Sequence, residues 1–266
     1  MNNIFTAAFD PVSAAEIRNI RAIAKNTGLK DVFLSVKEEG ILSRSQRISL
    51  LKQAVRPYRH IHVLEDAVQG IAIEETDEEK IREGHFRLAP RQIRTSLIQC
   101  NAYLDQIIDA MCKPSRAVHS RGVAETARHL AQVHGLDTEK AYRMGMLHDI
   151  TKRMDDEEGR KIIALYKPEW LTLSPKVWHS YTAVIWLKQN MHLYDHELLS
   201  AIEHHTLGDG CTLMDHILYI SDKNEPGRGY DTSRQMKLAE EDLAAAARMI
   251  REESRAYIFE KEGIHV

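Results

Sequence analysis

The chain of 266 residues is 43% hydrophobic and 28% charged, long enough for two modest domains with cores of their own and too apolar to be mainly disordered. A formal net charge of −3, with no basic excess on either side of Cys112, excludes a surface built to neutralise nucleic acid. Three cysteines without CxxC spacing argue against a disulfide framework and read as small core residues, and with no basic leader and no run of about 18 apolar residues, a cytoplasmic protein free of membrane contact is expected.

In chain order, Ile4 to Ala8 reads as a strand, the tripeptide Phe9-Asp10-Pro11 as a turn, and Ala14 to Asn26 as a helix with Ile17, Ile20 and Ala24 on one face. Val32 to Val36 is a second strand, Ser43 to Val55 a second helix and His60 to Leu64 a third strand, a βαβαβ order that implies a parallel sheet. The acidic run 74–83 reads as a solvated helix face or loop. Beyond a break at Lys113-Pro114 the pattern turns all-α, with helices over Ser115 to His134, Thr138 to Lys152, His179 to Asn190, Asp195 to His205, Thr212 to Asp222 and Met236 to Glu260. Gly135 closes the first of these and Asp137 or Thr138 caps the second. The expected domains are residues 1–112 and 113–266.

Ten of the 14 histidines fall between positions 119 and 216. His119 shares a stripe with Val123, Ala127 and Leu130; His148 follows Ala141 and Gly145, with Asp149 beside it; His179 aligns with Ala183 and Trp186; His205 continues Leu198, Ala201 and Ile202. Asp222 lies one turn beyond Leu218. A single inward histidine is ordinarily a core residue whose nitrogens find backbone partners. Several helices delivering imidazoles and carboxylates inward is another matter, because unpaired buried carboxylates cost several kcal/mol each unless something cationic lies between them. A divalent metal, Fe, Mn, Co, Ni or Zn, satisfies such a set.

The order His119, His148-Asp149, Asp222, within the stretches HSRGV, GMLHDITK, AIEHHTLG and YISDKNEPGR, resembles the YqeK-type HD-domain symmetrical diadenosine tetraphosphate hydrolases over about 150 residues. The resemblance implies an HD-domain helical bundle with His119, His148, Asp149 and Asp222 as primary metal ligands and iron as the usual metal. His179 and His205 match positions that hold a second metal or reach the substrate phosphates. Arg116, Lys152, Thr206 and Arg228 match nucleotide and phosphate contacts. The implied reaction is symmetrical cleavage to two ADP, by water whose pKa a divalent ion lowers from about 15.7 toward 7, with Lys152 and Arg228 stabilising phosphoryl charge and His179 or His205 protonating the departing oxygen. An HD phosphohydrolase for another nucleotide or phosphoester, and a non-catalytic nucleotide-binding regulator, are the competing readings; a homodimer is the assembly left open.

The first half, with TAAFDPVSAAE after its opening strand, resembles the nicotinate-nucleotide adenylyltransferase family, whose motif is roughly GGSFDPxHxGH. Ser13 and Glu16 stand where that family has two histidines, and Ala15 replaces a glycine. In LAPRQIR, compared with ISSTxIR, Ala89, Pro90 and Arg91 replace hydroxyl-bearing residues. A reduced, inactive α/β domain is therefore expected, with Glu16 repelling the phosphates that its counterpart would hold.

Overall fold

A computed structural model describes residues 3–262; the first two residues and the last four of the expected domains lie outside the described residues. Two compact units divide between Ile107 and Ile108, five residues before the expected end of the first domain at Cys112, and residues 188–193 go with the first unit.

The first unit opens with β1 (Ile4–Ala7), α1 (Ala14–Thr27), β2 (Val32–Val36), α2 (Arg44–Val55), β3 (Ile61–Val63) and β4 (Ile71–Ala72). All pairings are parallel, in the order β3-β2-β1-β4. Short helices α3 (Glu78–Arg82) and α4 (Arg91–Gln99) follow, and then α5 (Leu104–Met111), within which the division between the units falls. The acidic run 74–83 is only partly solvated. Glu78 and Ile81 are buried, because Glu78 accepts from the Asp10 N–H and pairs with Arg82 at 2.6 Å.

At the carboxyl ends of β1 and β2, where open parallel sheets ordinarily bind ligands, the chain fills its own cleft. Buried Arg47 donates to the carbonyls of Ala8, Lys37, Glu38 and Leu42. Asp10 of the Phe9-Asp10-Pro11 turn accepts from Ile41 N–H, Leu42 N–H and Tyr103 Oη. Ser13 and Glu16 form a capping box on α1: the Glu16 carboxylate accepts from Ser13 N–H at 2.6 Å and Ser13 Oγ accepts from Glu16 N–H. The expectation that Glu16 repels a nucleotide is thereby corrected. Its side chain is turned into the cap and buried, and burial, reinforced by Glu78 and Glu75, raises its pKa from 4.5 to about 8.

The second unit is a helical bundle: α6 (Pro114–Val133), α7 (Thr138–Leu147), α8 (Asp156–Tyr166), α9 (Pro175–Trp186), α10 (His196–His204), α11 (Leu213–Asn224), α12 (Ser233–Glu241) and α13 (Leu243–Glu262). No described helix is long and apolar enough to cross a membrane. Helix α7 packs on α6, α10 packs on α7, α9 and α11, and α11 packs back on α6 and α7. Gly145 on α7 permits a close approach to α6, since a Cβ there would lie 2.5 Å from Ala124 Cα.

Three expected boundaries change. Helix α7 ends at Leu147 instead of Lys152, because the chain tightens into turns bonded three residues back, Ile150 N–H to Leu147 O and Lys152 N–H to Asp149 O. The helix expected to begin at His179 starts at Pro175, capped by Ser174, and gives way after Trp186 to a π-helical turn. The C-terminal helix is two, because extended Asp242 interrupts it and its carboxylate caps Ala245 N–H. Cys112 is buried, but Cys100 and Cys211 are exposed, so only the first behaves as the expected core residue.

Burial raises Glu16 to about 8 and Glu78 to about 7 from 4.5. Between pH 4.5 and 8 the unfolded chain has already released these protons while the folded chain keeps them, so stability falls as pH rises through that window. Glu16→Gln, which keeps the cap, is expected to stabilise the first unit by about 2 kcal/mol at pH 8.5 and far less at pH 5. Thermal unfolding at the two pH values, with hydrogen exchange of the α1 amides, measures it.

Candidate metal centre

Four helices of the second unit bring imidazoles to one buried point. The Nδ1–H of His148 donates to the carbonyl of Gly145 at 2.7 Å, that of His205 to Ile202 at 2.7 Å, and that of His179 to Lys176 at 2.9 Å. A carbonyl can only accept, so Nδ1 carries the proton and each Nε2 presents a lone pair inward. On α6, His119 Nδ1 is 3.1 Å from Glu225 Oε1 and its Nε2 3.1 Å from Asp222 Oδ1. Gly122 makes room for this pairing, because a Cβ there would meet Glu225 Oε2 at 2.6 Å.

The inward atoms crowd together without satisfying one another. His179 Nε2 is 3.2 Å from His205 Nε2 and 2.9 Å from Asp149 Oδ1. His148 Nε2 lies 3.5 Å from Asp149 Oδ2 and 3.7 Å from Asp222 Oδ1. His148 Nε2 and Asp149 Oδ1 are buried without a hydrogen-bond partner, an arrangement that costs free energy until a cation accepts the lone pairs. Among the described residues, two groups could hold an ion: His119, His148 and Asp222, and His148, Asp149 and His205, the donor atoms of each lying within 4.8 Å of one another. His148 belongs to both. The donor set, neutral imidazoles with carboxylates, suits a divalent transition metal.

The electrostatics agree with that chemistry. Burial pushes His205 down to about 4 and lowers His179, so both are neutral near pH 7. Burial also works against a charged His148, but Asp149 and Asp222 outweigh it and raise its pKa, so the carboxylates draw a positive charge to its Nε2, a place a metal ion would take instead of a proton. Both aspartates are held well below the usual carboxylate range despite burial, Asp149 chiefly by His148 and Asp222 chiefly by Lys223. Surrounding cations also lean on the acids. Arg116 Nη1 is 2.9 Å from Asp149 Oδ2; Lys223 Nζ is 3.0 Å from Asp222 Oδ2; and Arg228 donates to the Asp222 carboxylate at 2.7 Å as well as to its backbone carbonyl.

Of the residues matched to substrate contacts, Lys152 lies with Nζ 3.0 Å from both ring nitrogens of His179. Thr206 stands apart from the donors, with its hydroxyl 3.3 Å from Ser180 Oγ, and lines a cavity of about 810 Å3 together with Tyr219, Lys223, Tyr230 and Tyr257.

The HD-domain family model matches residues 116–247. A symmetrical bis(5'-nucleosyl)-tetraphosphatase of Bacillus subtilis is 35% identical over 49% of this chain and 73% of its own length. The chain belongs to the HD-domain family. A Mycoplasma pneumoniae protein named as a probable nicotinate-nucleotide adenylyltransferase/Ap4A hydrolase is 31% identical over 60% of this chain, which spans only 49% of that relative. A crystal structure of a predicted HD superfamily hydrolase involved in NAD metabolism from Clostridium acetobutylicum is 30% identical, with a TM-score of 0.56 over 60% of this chain and 88% of that one.

Sequence reasoning on this HD-domain chain passed over Glu225, which fixes the His119 ring from behind as carboxylates do for metal-binding histidines. Its signal was the helix end: three residues beyond Asp222 and just past α11, Glu225 folds back onto α6. Gly145 supplies both the carbonyl that orients His148 and the close contact with α6. Gly145→Ala is therefore expected to cost about 1–3 kcal/mol by overpacking and to part His119 from His148. Thermal unfolding reports the first effect, and the stoichiometry of bound divalent metal the second.

Proposed function

We propose that this HD-domain protein hydrolyses diadenosine tetraphosphate symmetrically, giving two ADP, with His119, His148, Asp149 and Asp222 holding a divalent ion and His179 and His205 completing the set for a second. The observation that carries the reading is the convergence of tethered imidazoles on the partnerless His148 Nε2 and Asp149 Oδ1, in a chain 35% identical to a protein named for that reaction. Ferrous iron is the ion proposed. When bound, a divalent ion there makes water acidic enough to attack at neutral pH and withdraws charge from phosphoryl oxygens.

The remaining chemistry belongs to the side chains. Arg116 and Lys152 hold the polyphosphate and stabilise the charge that develops on the departing oxygen as the central P–O bond breaks and the oxygen of water joins phosphorus. Lys152 suits this task because its ammonium, 3.0 Å from both ring nitrogens of His179, stands beside the donor set with protons to give. His205, pushed to about 4, has no proton on Nε2 to give at neutral pH and acts as a lone-pair donor. Arg228 acts through Asp222, which it orients from both its carboxylate and its carbonyl. The cavity carrying Thr206 and three tyrosines receives one adenosine, because aromatic faces stack on bases. Such a substrate implies work in the cytoplasm.

Protein prepared without oxygen and loaded with ferrous or manganous ion is expected to convert diadenosine tetraphosphate to ADP alone. His148→Ala or Asp149→Ala should lower kcat about 10³-fold. Release of ATP with AMP would refute central cleavage, and preference for a simpler phosphoester in a substrate panel would reassign the substrate.

The first unit, we infer, is a nucleotidyltransferase-like fold without that activity. The support is the occupied strand-end cleft, where Arg47 and Asp10 are committed to backbone groups and Ser13 with Glu16 to a helix cap. Incubation with ATP and nicotinate mononucleotide should yield no dinucleotide, and its formation would refute the inference.

A further inference from the structure

Beside the metal donors, where α6 begins and the turn after α7 ends, lies an open cavity of about 400 Å3 lined by Lys113, Ser115, Arg116, Lys152 and Arg153. Four of these residues are cations and none is an acid. Arg116 and Lys152 are engaged, at 2.9 Å from Asp149 and 3.0 Å from His179. Lys113 and Arg153 make no ion pair among the described residues, although the chain as a whole has more acids than bases, 39 against 36. The backbone adds to this field: Lys113 is the N-cap of the 20-residue α6, Pro114 follows it, and no side chain caps that helix end. Four like charges around one hollow repel unless an anion neutralises them.

We propose that this cavity seats the phosphates of the second nucleotide, those that leave the metal centre with the departing ADP, and that Lys113 and Arg153 are specificity residues for a phosphate chain that continues beyond the broken bond. The proposal rests on the tetraphosphatase reading and adds to it a place for the leaving half. Its chemistry is that of a run of phosphates met by two ammonium groups and two guanidinium forks. A monoester, with no phosphate past the reacting one, never reaches Lys113 or Arg153.

The test uses the full chain loaded with manganous ion and the dinucleotide whose central bridging oxygen is replaced by methylene, which binds without being cleaved. Lys113→Ala with Arg153→Ala is expected to raise the Kd of this analogue at least tenfold by calorimetry. The charge-keeping pair Lys113→Arg with Arg153→Lys, which leaves the cavity with the same number of positive charges, should recover most of that loss. In turnover of diadenosine tetraphosphate, the alanine pair should raise KM about as much as Kd while kcat holds within about threefold. Unchanged Kd in the alanine pair, or a fall in kcat at constant KM, would overturn the seat. Tight, Lys113- and Arg153-dependent binding of the analogue in a protein that fails to cleave the natural dinucleotide would uphold the seat and refute the tetraphosphatase reading.

Discussion

The second unit depends on one repeated hydrogen bond, from imidazole Nδ1–H to the carbonyl three residues earlier, made by His148, His179 and His205 alike. It fixes the tautomer and ring direction in one stroke, so that Nε2 faces inward at each position. The bond is local, formed within a turn of the residue's own backbone, and therefore survives small shifts of one helix against another. His119 lacks this tether and borrows a carboxylate, Glu225, from beyond the far end of α11. The outcome is a core kept polar at a cost in stability, balanced in part by Arg116, Lys223 and Arg228 against the two aspartates.

Much of this was legible in the residues. Helical spacing put His119, His148, His179 and His205 on inward faces because imidazoles sharing a stripe with Val123, Ala183 or Ile202 have nowhere else to go. The parallel sheet followed from strands separated by amphipathic stretches. What spacing could not convey was the local chemistry at element ends. The departure from α-helix after Leu147 depends on bonds three residues back, and the division at Asp242 on a single side-chain cap. Helix α8 is hard to see in the sequence although Asp155 caps it and acids fill its first turn. Its Leu165 is exposed while Ile163 packs on Trp170 and Trp178, so its apolar residues do not draw one clean stripe. Helices α4 and α5 are hard to see as well, with Ile93 and Leu97 one turn apart as the available sign.

The acidic residues of the first unit were the hardest to read. Glu16 and Glu78 look like surface residues in a sequence, since carboxylates are mostly exposed. Here each is drawn inside by a backbone N–H that needs an acceptor, Ser13 for Glu16 and Asp10 for Glu78. Composition cannot reveal that need, because it arises only when the loops after β1 fold back over the sheet.

Arg47 carries a consequence for the closure of that unit. Its guanidinium serves four carbonyls around the strand ends. Replacing it alone would orphan those acceptors in a dry interior, at a penalty of order several kcal/mol. Opening a crevice there would thus require several simultaneous changes, each harmful by itself. The arginine works as a plug: the strand ends stay closed because one side chain completes the bonding of four backbone carbonyls.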